Sequence, residues 1–261
     1  MTKLIFLGST SAMTVAPDNY QSNMLLVSDD GSKLLIDCGS DIRFSLYDVG
    51  LSYLHITDIY LSNLHSDKVG GLEYIAFASK FDPRCNKPKL YLSKDMAGDL
   101  WPRSLSGGLR YVEGDITDLD TFFEVNKIGH DGNYFEWQGI NISLVRTVSI
   151  NTNYYLMPSY GLFFEVQGNK VLLTLDTMNI DNLMEAYDQA DIIFHDCETG
   201  EKKSGSHSHY EDLSKLPDKI RRKMWLYNYD YGYLPDAVQA GFRGWVKRGQ
   251  EFDFSLVGSY L

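Results

Sequence analysis

Residues 62–72 read Ser62-Asn63-Leu64-His65-Ser66-Asp67-Lys68-Val69-Gly70-Gly71-Leu72. The segment follows Asp58–Leu61, an apolar run with strand character, and leads into Leu72, Ile75, Ala76 and Ser79, which fall at helical spacing. Two glycines at the helix start let its backbone pack closely below a strand end. A strand, a loop carrying His65, Asp67 and Lys68, and a helix therefore follow one another, with the chemistry at the strand end.

The same punctuation recurs on both sides. Lys3–Leu7, Asn23–Val27, Lys33–Ile36 and Lys89–Leu92 read as strands, with Asp29-Asp30-Gly31 as a hairpin turn. In the second half Ile140–Arg146, Gly161–Val166, Lys170–Leu175, Ile192–His195 and Met224–Tyr227 continue the pattern, with a hairpin at Gln167-Gly168-Asn169. Helices are expected over Asp41–Val49, stopped by Gly50, over Ile180–Gln189, and in short pieces after Tyr210 and Leu216. Strand pairs followed by strand–helix units, twice over, predict an α/β (α+β) fold of two mixed sheets with helices outside. No repeat or linker interrupts the chain, so residues 1–261 are expected to form one domain. Three further strand-end loops hold polar clusters: Asp37-Cys38-Gly39-Ser40, Leu175-Asp176-Thr177, and His195-Asp196-Cys197-Glu198 continuing to His207-Ser208-His209-Tyr210.

Composition excludes several classes of function. The 261 residues are 44 % hydrophobic and carry a net charge of −11. That charge opposes binding to bulk nucleic acid or to an anionic membrane surface, both of which need basic surfaces. No apolar stretch reaches the length of a membrane span, and the start of the sequence lacks the h-region of a signal peptide. Cys38, Cys85 and Cys197 are odd in number and far apart, which suits a reducing compartment, and a cytoplasmic location is expected.

The order of these segments resembles the metallo-β-lactamase superfamily, an αββα sandwich with a metal site at its strand ends. Leu4–Ala12, Asp37-Cys38-Gly39 and the His195–Glu198 and His207–Tyr210 stretches are most similar to the branch of tRNA 3′-processing endonucleases and cyclic-nucleotide phosphodiesterases. Tyr210–Leu213, Leu216-Pro217 and Trp225–Tyr227 resemble the phosphodiesterases that antagonise pyrimidine cyclic-nucleotide (Pycsar) defence. The resemblance implies a motif T-H-x-H-x-D-H-x-G-G-L, two later histidines and a bridging aspartate, which together hold two zinc or manganese ions. It also implies a homodimer.

Against that motif the sequence departs sharply. Asn63 stands at the first histidine, Lys68 at the last, Asn228 at the final histidine, and Asn151 is the match for the histidine between. His65, Asp67 and Asp176 are retained, and they are the metal ligands if there are any. An asparagine amide is a poor zinc ligand, whereas a lysine ammonium beside Asp67 and Asp176 would replace the charge of a cation. No metal or other cofactor is therefore expected, and Lys68 is read as an internal substitute for one. By the same resemblance His207 and Asp196 match a proton-donor pair, either vestigial or still working.

Three functions compete. The first is a pseudoenzyme, a degenerate phosphodiesterase that binds a cyclic-nucleotide-like or other phosphate ligand, or a partner, through Asn63, His65, Asp67, Lys68, Asn151, Asp176 and Asn228. The second is an active phosphodiester hydrolase with a reduced zinc or manganese centre. The third is an assembly role with a vestigial site. Plainer readings stand beside them: a hydrogen-bonded brace for His65 and Asp67, a helix cap for Asp176, a packed core position for His195, and inert buried thiols for Cys38 and Cys197. The basic run Lys215, Lys219, Arg221, Arg222 and Lys223 is expected to be a solvated face.

Overall fold

The strand-like runs form two seven-stranded sheets in a computed structural model, which describes residues 1–129 and 132–256. In chain order the first half supplies β1 (Lys3–Phe6), β2 (Met24–Val27), β3 (Lys33–Ile36), β4 (Asp58–Leu61) and β5 (Lys89–Ser93). A small ribbon, β6 (Tyr111–Val112) and β7 (Asp115–Ile116), precedes β8 (Glu124–Ile128). The second half supplies β9 (Tyr134–Trp137), β10 (Ile140–Asn151), β11 (Leu156–Val166), β12 (Asn169–Leu173), β13 (Ile192–Asp196), β14 (Met224–Tyr227), β15 (Gly244–Trp245) and β16 (Glu251–Asp253). The sheet orders are β16-β1-β2-β3-β4-β5-β8 and β15-β14-β13-β12-β11-β10-β9, so the last strand returns to pair with the first.

Side-chain patterning accounts for the layers. β2, β4 and β13 are buried at every position, while β10 alternates buried and exposed residues over most of its length. One cluster joins both sheets, including Leu4, Phe6, Leu26, Leu35 and Tyr60 with Ile142, Leu162, Phe164 and Phe194. A second lies between the other sheet face and the helices Met184–Gln189, Tyr210–Leu213 and Asp218–Arg221, through Leu172, Tyr187, Ile193, Leu213, Ile220 and Leu226. The helix Leu72–Phe81 buries Leu72, Ile75, Ala76 and Ser79, the stripe read from the sequence.

The turns follow backbone chemistry. Gly31 takes φ +86° between β2 and β3, and Gln167 and Gly168 take φ 51° and 78° between β11 and β12. The strands β10 and β11 run further than predicted, forming a hairpin of 12 and 11 residues. The helix expected over Ile180–Gln189 splits into a 3₁₀ turn, Asp181–Leu183, and an α-helix, Met184–Gln189. The upper end of the predicted domain, residue 261, lies outside the described residues. Among the described residues no helix is long and apolar enough to cross a membrane.

What matters for chemistry is the parallel pairing. β3 and β4 are parallel, with Ile36 opposite Tyr60, which sets Asp37 beside Ser62. β12, β13 and β14 are parallel as well, with Asp196 opposite Tyr227. The carboxyl ends of both sheets meet where the Tyr160 N–H donates to the Ser62 carbonyl and Asn63 reaches Asp176.

Candidate functional site

The quoted loop is held by its neighbours' backbones. The Cys38 N–H donates to the Lys68 carbonyl at 2.7 Å, and the Gly71 N–H to the Cys38 carbonyl at 2.9 Å. A Cβ on Gly39 would stand 2.4 Å from the Asp67 carbonyl oxygen, and one on Gly71 2.3 Å from the Gly39 carbonyl oxygen. Only glycine lets these two loops touch. The contact drives the one-turn helix Ser66–Val69 inward and buries both Asp67 and Lys68.

Lys68 Nζ lies 2.6 Å from Asp67 Oδ2 and 3.1 Å from Asp176 Oδ1, with only 3 % of its side chain exposed. Burial disfavours the ammonium, but Asp176, Asp67 and Asp37 outweigh it and hold Lys68 well above the usual lysine range. Burial likewise pushes Asp176 up, and the Lys68 ammonium, with His65 and His207 beside it, more than reverses it, so Asp176 stays ionised. Its Oδ2 accepts from Asn63 Nδ2 at 3.0 Å and faces His65 Nδ1 at 3.7 Å. Asn63 Oδ1 accepts the His65 N–H at 2.9 Å, which spends the amide's acceptor inside its own loop.

Asp37 was read as loop chemistry and not as part of the site. It sits in the left-handed region, φ 62°, accepting the Ser62 N–H and hydroxyl at 2.8 Å each. Burial raises its carboxyl to about 7 against the pull of Lys68 and Ser62.

The second half of the site forms around Asp196, at the end of β13. Its Oδ2 accepts from His207 Nδ1 at 2.8 Å and from the Thr177 N–H at 3.1 Å, and its Oδ1 accepts from Asn228 Nδ2 at 2.7 Å. Asn228, at φ 66°, turns its Oδ1 to the Ser22 hydroxyl at 2.7 Å. Burial lowers the His207 imidazolium and raises Asp196, but their mutual attraction wins for the histidine, which is pushed up to about 10. Ligand atoms of Asp176, Asp196 and His207 lie within 4.8 Å of one another, so the two halves share one cluster.

A model of the family described as Anti-Pycsar protein Apyc1 matches residues 2–252. The chain belongs to that family. It is 32 % identical over 213 residues to the Anti-Pycsar protein Apyc1 of Paenibacillus harenae, covering 80 % of this chain and 83 % of the relative. It is 30 % identical over 258 residues to that of Bacillus phage vB_BveM-Goe7, covering 96 % and 97 %. Among solved structures it is similar to the metallo-β-lactamase fold protein YhfI from Bacillus subtilis, with TM-score 0.74 at 16 % identity over 97 % of this chain and 100 % of that one. A diphosphatase from the PhnP family gives TM-score 0.74 at 19 % identity over 96 % of each chain. The fold is therefore the metallo-β-lactamase sandwich.

Within the Apyc1 family frame, the donor set does not fit a two-ion centre. A metal needs acceptor atoms turned inward. Asn63, Lys68 and Asn228 instead turn N–H donors onto Asp176, Asp67 and Asp196, and both amide oxygens accept from protein N–H or O–H groups. Asn151 is not brought to the cluster. It is exposed at the end of β10, where its Oδ1 accepts the Asn153 N–H at 2.8 Å, because the strand runs on past the site before turning. Two residues earlier, Ser149 is fully buried with an unpartnered hydroxyl. Thr147, two residues before that, donates to the Asp176 carbonyl at 2.9 Å. Strand alternation puts Ser149 and Asn151 on the same face, so it could not have separated them. His195 is a packed core residue bonded to the Tyr187 hydroxyl, and burial lowers it to about 4. Cys38 and Cys197 are buried thiols whose ionisation burial pushes up.

Proposed function

We propose that this chain is a metal-independent pseudoenzyme, derived from a phosphodiesterase, that binds a cyclic-nucleotide-like phosphodiester without cutting it. The observation carrying this reading is Lys68, whose ammonium contacts both Asp67 and Asp176 at the buried centre of the cluster. Hydrolysis at a two-metal centre needs ions to activate water and to stabilise both oxygens of the displacement. Lys68, Asn63 and Asn228 neutralise or hydrogen-bond the carboxylates that ions would require. The His207–Asp196 pair keeps a proton that a phosphate oxygen would accept. Relatives named Anti-Pycsar proteins, and solved neighbours described as a diphosphatase and as the short form of human tRNase Z, support a phosphate ester as the ligand class. The homodimer expected of such a chain is proposed with it, supported by the exposed Tyr154, Tyr155, Tyr231 and Tyr233.

Calorimetry with 3′,5′-cyclic mononucleotides and cyclic dinucleotides tests the reading. Heat of binding with the nucleotide recovered intact supports it, and no binding at millimolar concentration sinks it. One observation favours a second reading, a hydrolase with a reduced centre. The 4.8 Å cluster of Asp176, Asp196 and His207 is a different trio from the His65, Asp67 and Asp176 read from the sequence. Turnover that requires Zn²⁺ or Mn²⁺ and is lost in Asp176→Ala would establish it.

A further inference from the structure

The buried cluster leaves little for a ligand to touch. Asn63, Asp67, Lys68, Asp176, Asp196 and Asn228 are all buried, and only His65 and His207 expose part of their side chains, 30 % and 18 %. His207 also lines a cavity of about 470 Å³, a volume within the range of small-molecule sites. Its Nδ1 is committed to Asp196, which leaves Nε2 as the ring nitrogen available to a ligand.

The cavity wall is chemically mixed. Lys203 and Lys215 both pair with the single carboxylate of Asp212, Lys215 at 2.9 Å. Asp181 is the other carboxylate on the wall, and Asp196 lies buried behind His207. His209 spends both ring nitrogens on the backbone, donating to the Gly200 carbonyl and accepting the Glu211 N–H. Lys203 and Lys215 therefore face Asp181 and Asp212 on this wall, beside a His207 whose partner Asp196 lies behind it, so two lysines gather at one cavity in a chain of net charge −11. Met178, Ile180 and Leu216 supply apolar surface beside them.

The sequence reading placed Lys215 on a solvated basic face, and the structure separates it from that run. Lys219 pairs with Asp188, Arg221 with Asp218, and Lys223 donates to the carbonyls of Tyr187, Asp188 and Ala190. Lys215 alone of the five lines the cavity.

We infer that the phosphate of the ligand is held in this side cavity by Lys203, Lys215 and His207, and not at the former metal centre, with the rest of the ligand against Met178, Ile180 and Leu216. The inference rests on the nucleotide-binding reading and names where the anion sits. An incoming phosphate takes one lysine from the shared Asp212 while contacting both, so two charge-assisted contacts form at the loss of one, with His207 Nε2 facing the same anion.

The test titrates wild-type protein and the double variant Lys203→Gln/Lys215→Gln with two probes, 3′,5′-cyclic UMP and phenyl phosphate. Both lysines have well-exposed side chains, so the variant is expected to keep the wild-type melting temperature. Binding of cyclic UMP weakened about tenfold or more in the variant supports the cavity. Equal binding by both proteins overturns the cavity and leaves the nucleotide reading standing. Wild-type binding of phenyl phosphate alone, lost in the variant, upholds the cavity while the cyclic-nucleotide reading fails. Silence from both probes overturns both.

Discussion

The two halves of the cluster balance their buried carboxylates in different ways. In the loop of residues 62–72 a cation has been built into the chain: Lys68 is sealed between Asp67 and Asp176, and Asn63 is spent on hydrogen bonds. Around Asp196 the partners are His207, the Thr177 N–H and Asn228, and His207 keeps one face toward a cavity. The first half is closed and self-satisfied, which is the signature of a structural role. The second is charged, oriented and reachable, which is the signature of a binding role. Retaining an aspartate therefore says little about whether it still acts, because what decides is which atom its new partner presents.

The largest effect should come from breaking the closed half. Lys68→Met leaves Asp67 and Asp176 buried without their cation, and the expected loss is ~3–5 kcal/mol in urea unfolding. Adding Asp67→Asn and Asp176→Asn to that variant should return much of it, since the unpaired charges are what cost. A Lys68→Met protein as stable as wild type would erase the contrast between the halves.

A smaller effect tests the closed half by pH. The Asp37 carboxyl is raised by burial to about 7 from 3.8, so the folded state holds its proton more readily than the unfolded state. Its contribution to stability is complete below pH 3.8, falls as pH rises from there to 7, and is gone above 7. Asp37→Asn keeps an acceptor for the Ser62 N–H. It should make the slope of stability over that window less negative by up to about 1.4 kcal/mol per pH unit. Unfolding curves at pH 4.5, 5.5 and 6.5 measure it, and parallel slopes would remove Asp37 from the buried charge balance.

How much of this was legible in the sequence differs residue by residue. Buried strands such as Ile192–His195 and Met224–Tyr227 were readable because their apolar runs are short and bounded by turn residues. That Asn63, Lys68 and Asn228 come together with the aspartates was readable because the motif fixes their spacing. Asn151 was misplaced because β10 continues five residues beyond the run expected to end at Arg146, and no local signal marks where a strand passes a site. Asp37 was missed because its part comes from the parallel register of β3 and β4, a pairing between residues 25 apart. The cavity could not be read at all, since Lys215 looks like its basic neighbours until folding turns those to Asp188, Asp218 and backbone carbonyls away from the cavity.

The smallest expected effect is the sharpest for the comparison as a whole: adding Zn²⁺ or Mn²⁺ to chelator-free protein should leave the melting temperature unchanged within about a degree. A ligand that binds the native state in hundredfold excess over its dissociation constant stabilises it by about 2.7 kcal/mol, so even modest metal affinity would be visible as a rise. To bind at Asp176, Asp196 and His207, an ion must strip the proton that Asp196 holds on His207 and pull Asp176 away from Lys68. Two favourable charge pairs are lost before a coordination bond forms, and the amide groups of Asn63 and Asn228 offer hydrogens where the ion needs lone pairs. A clear rise, with about one metal per chain by elemental analysis, would mean that the open half of the cluster can still recruit a cation in spite of the closed half. The same rise surviving in His207→Gln but not in Asp176→Asn would locate the ion on the Lys68 side, and the division between a structural and a binding half would then have to be drawn elsewhere.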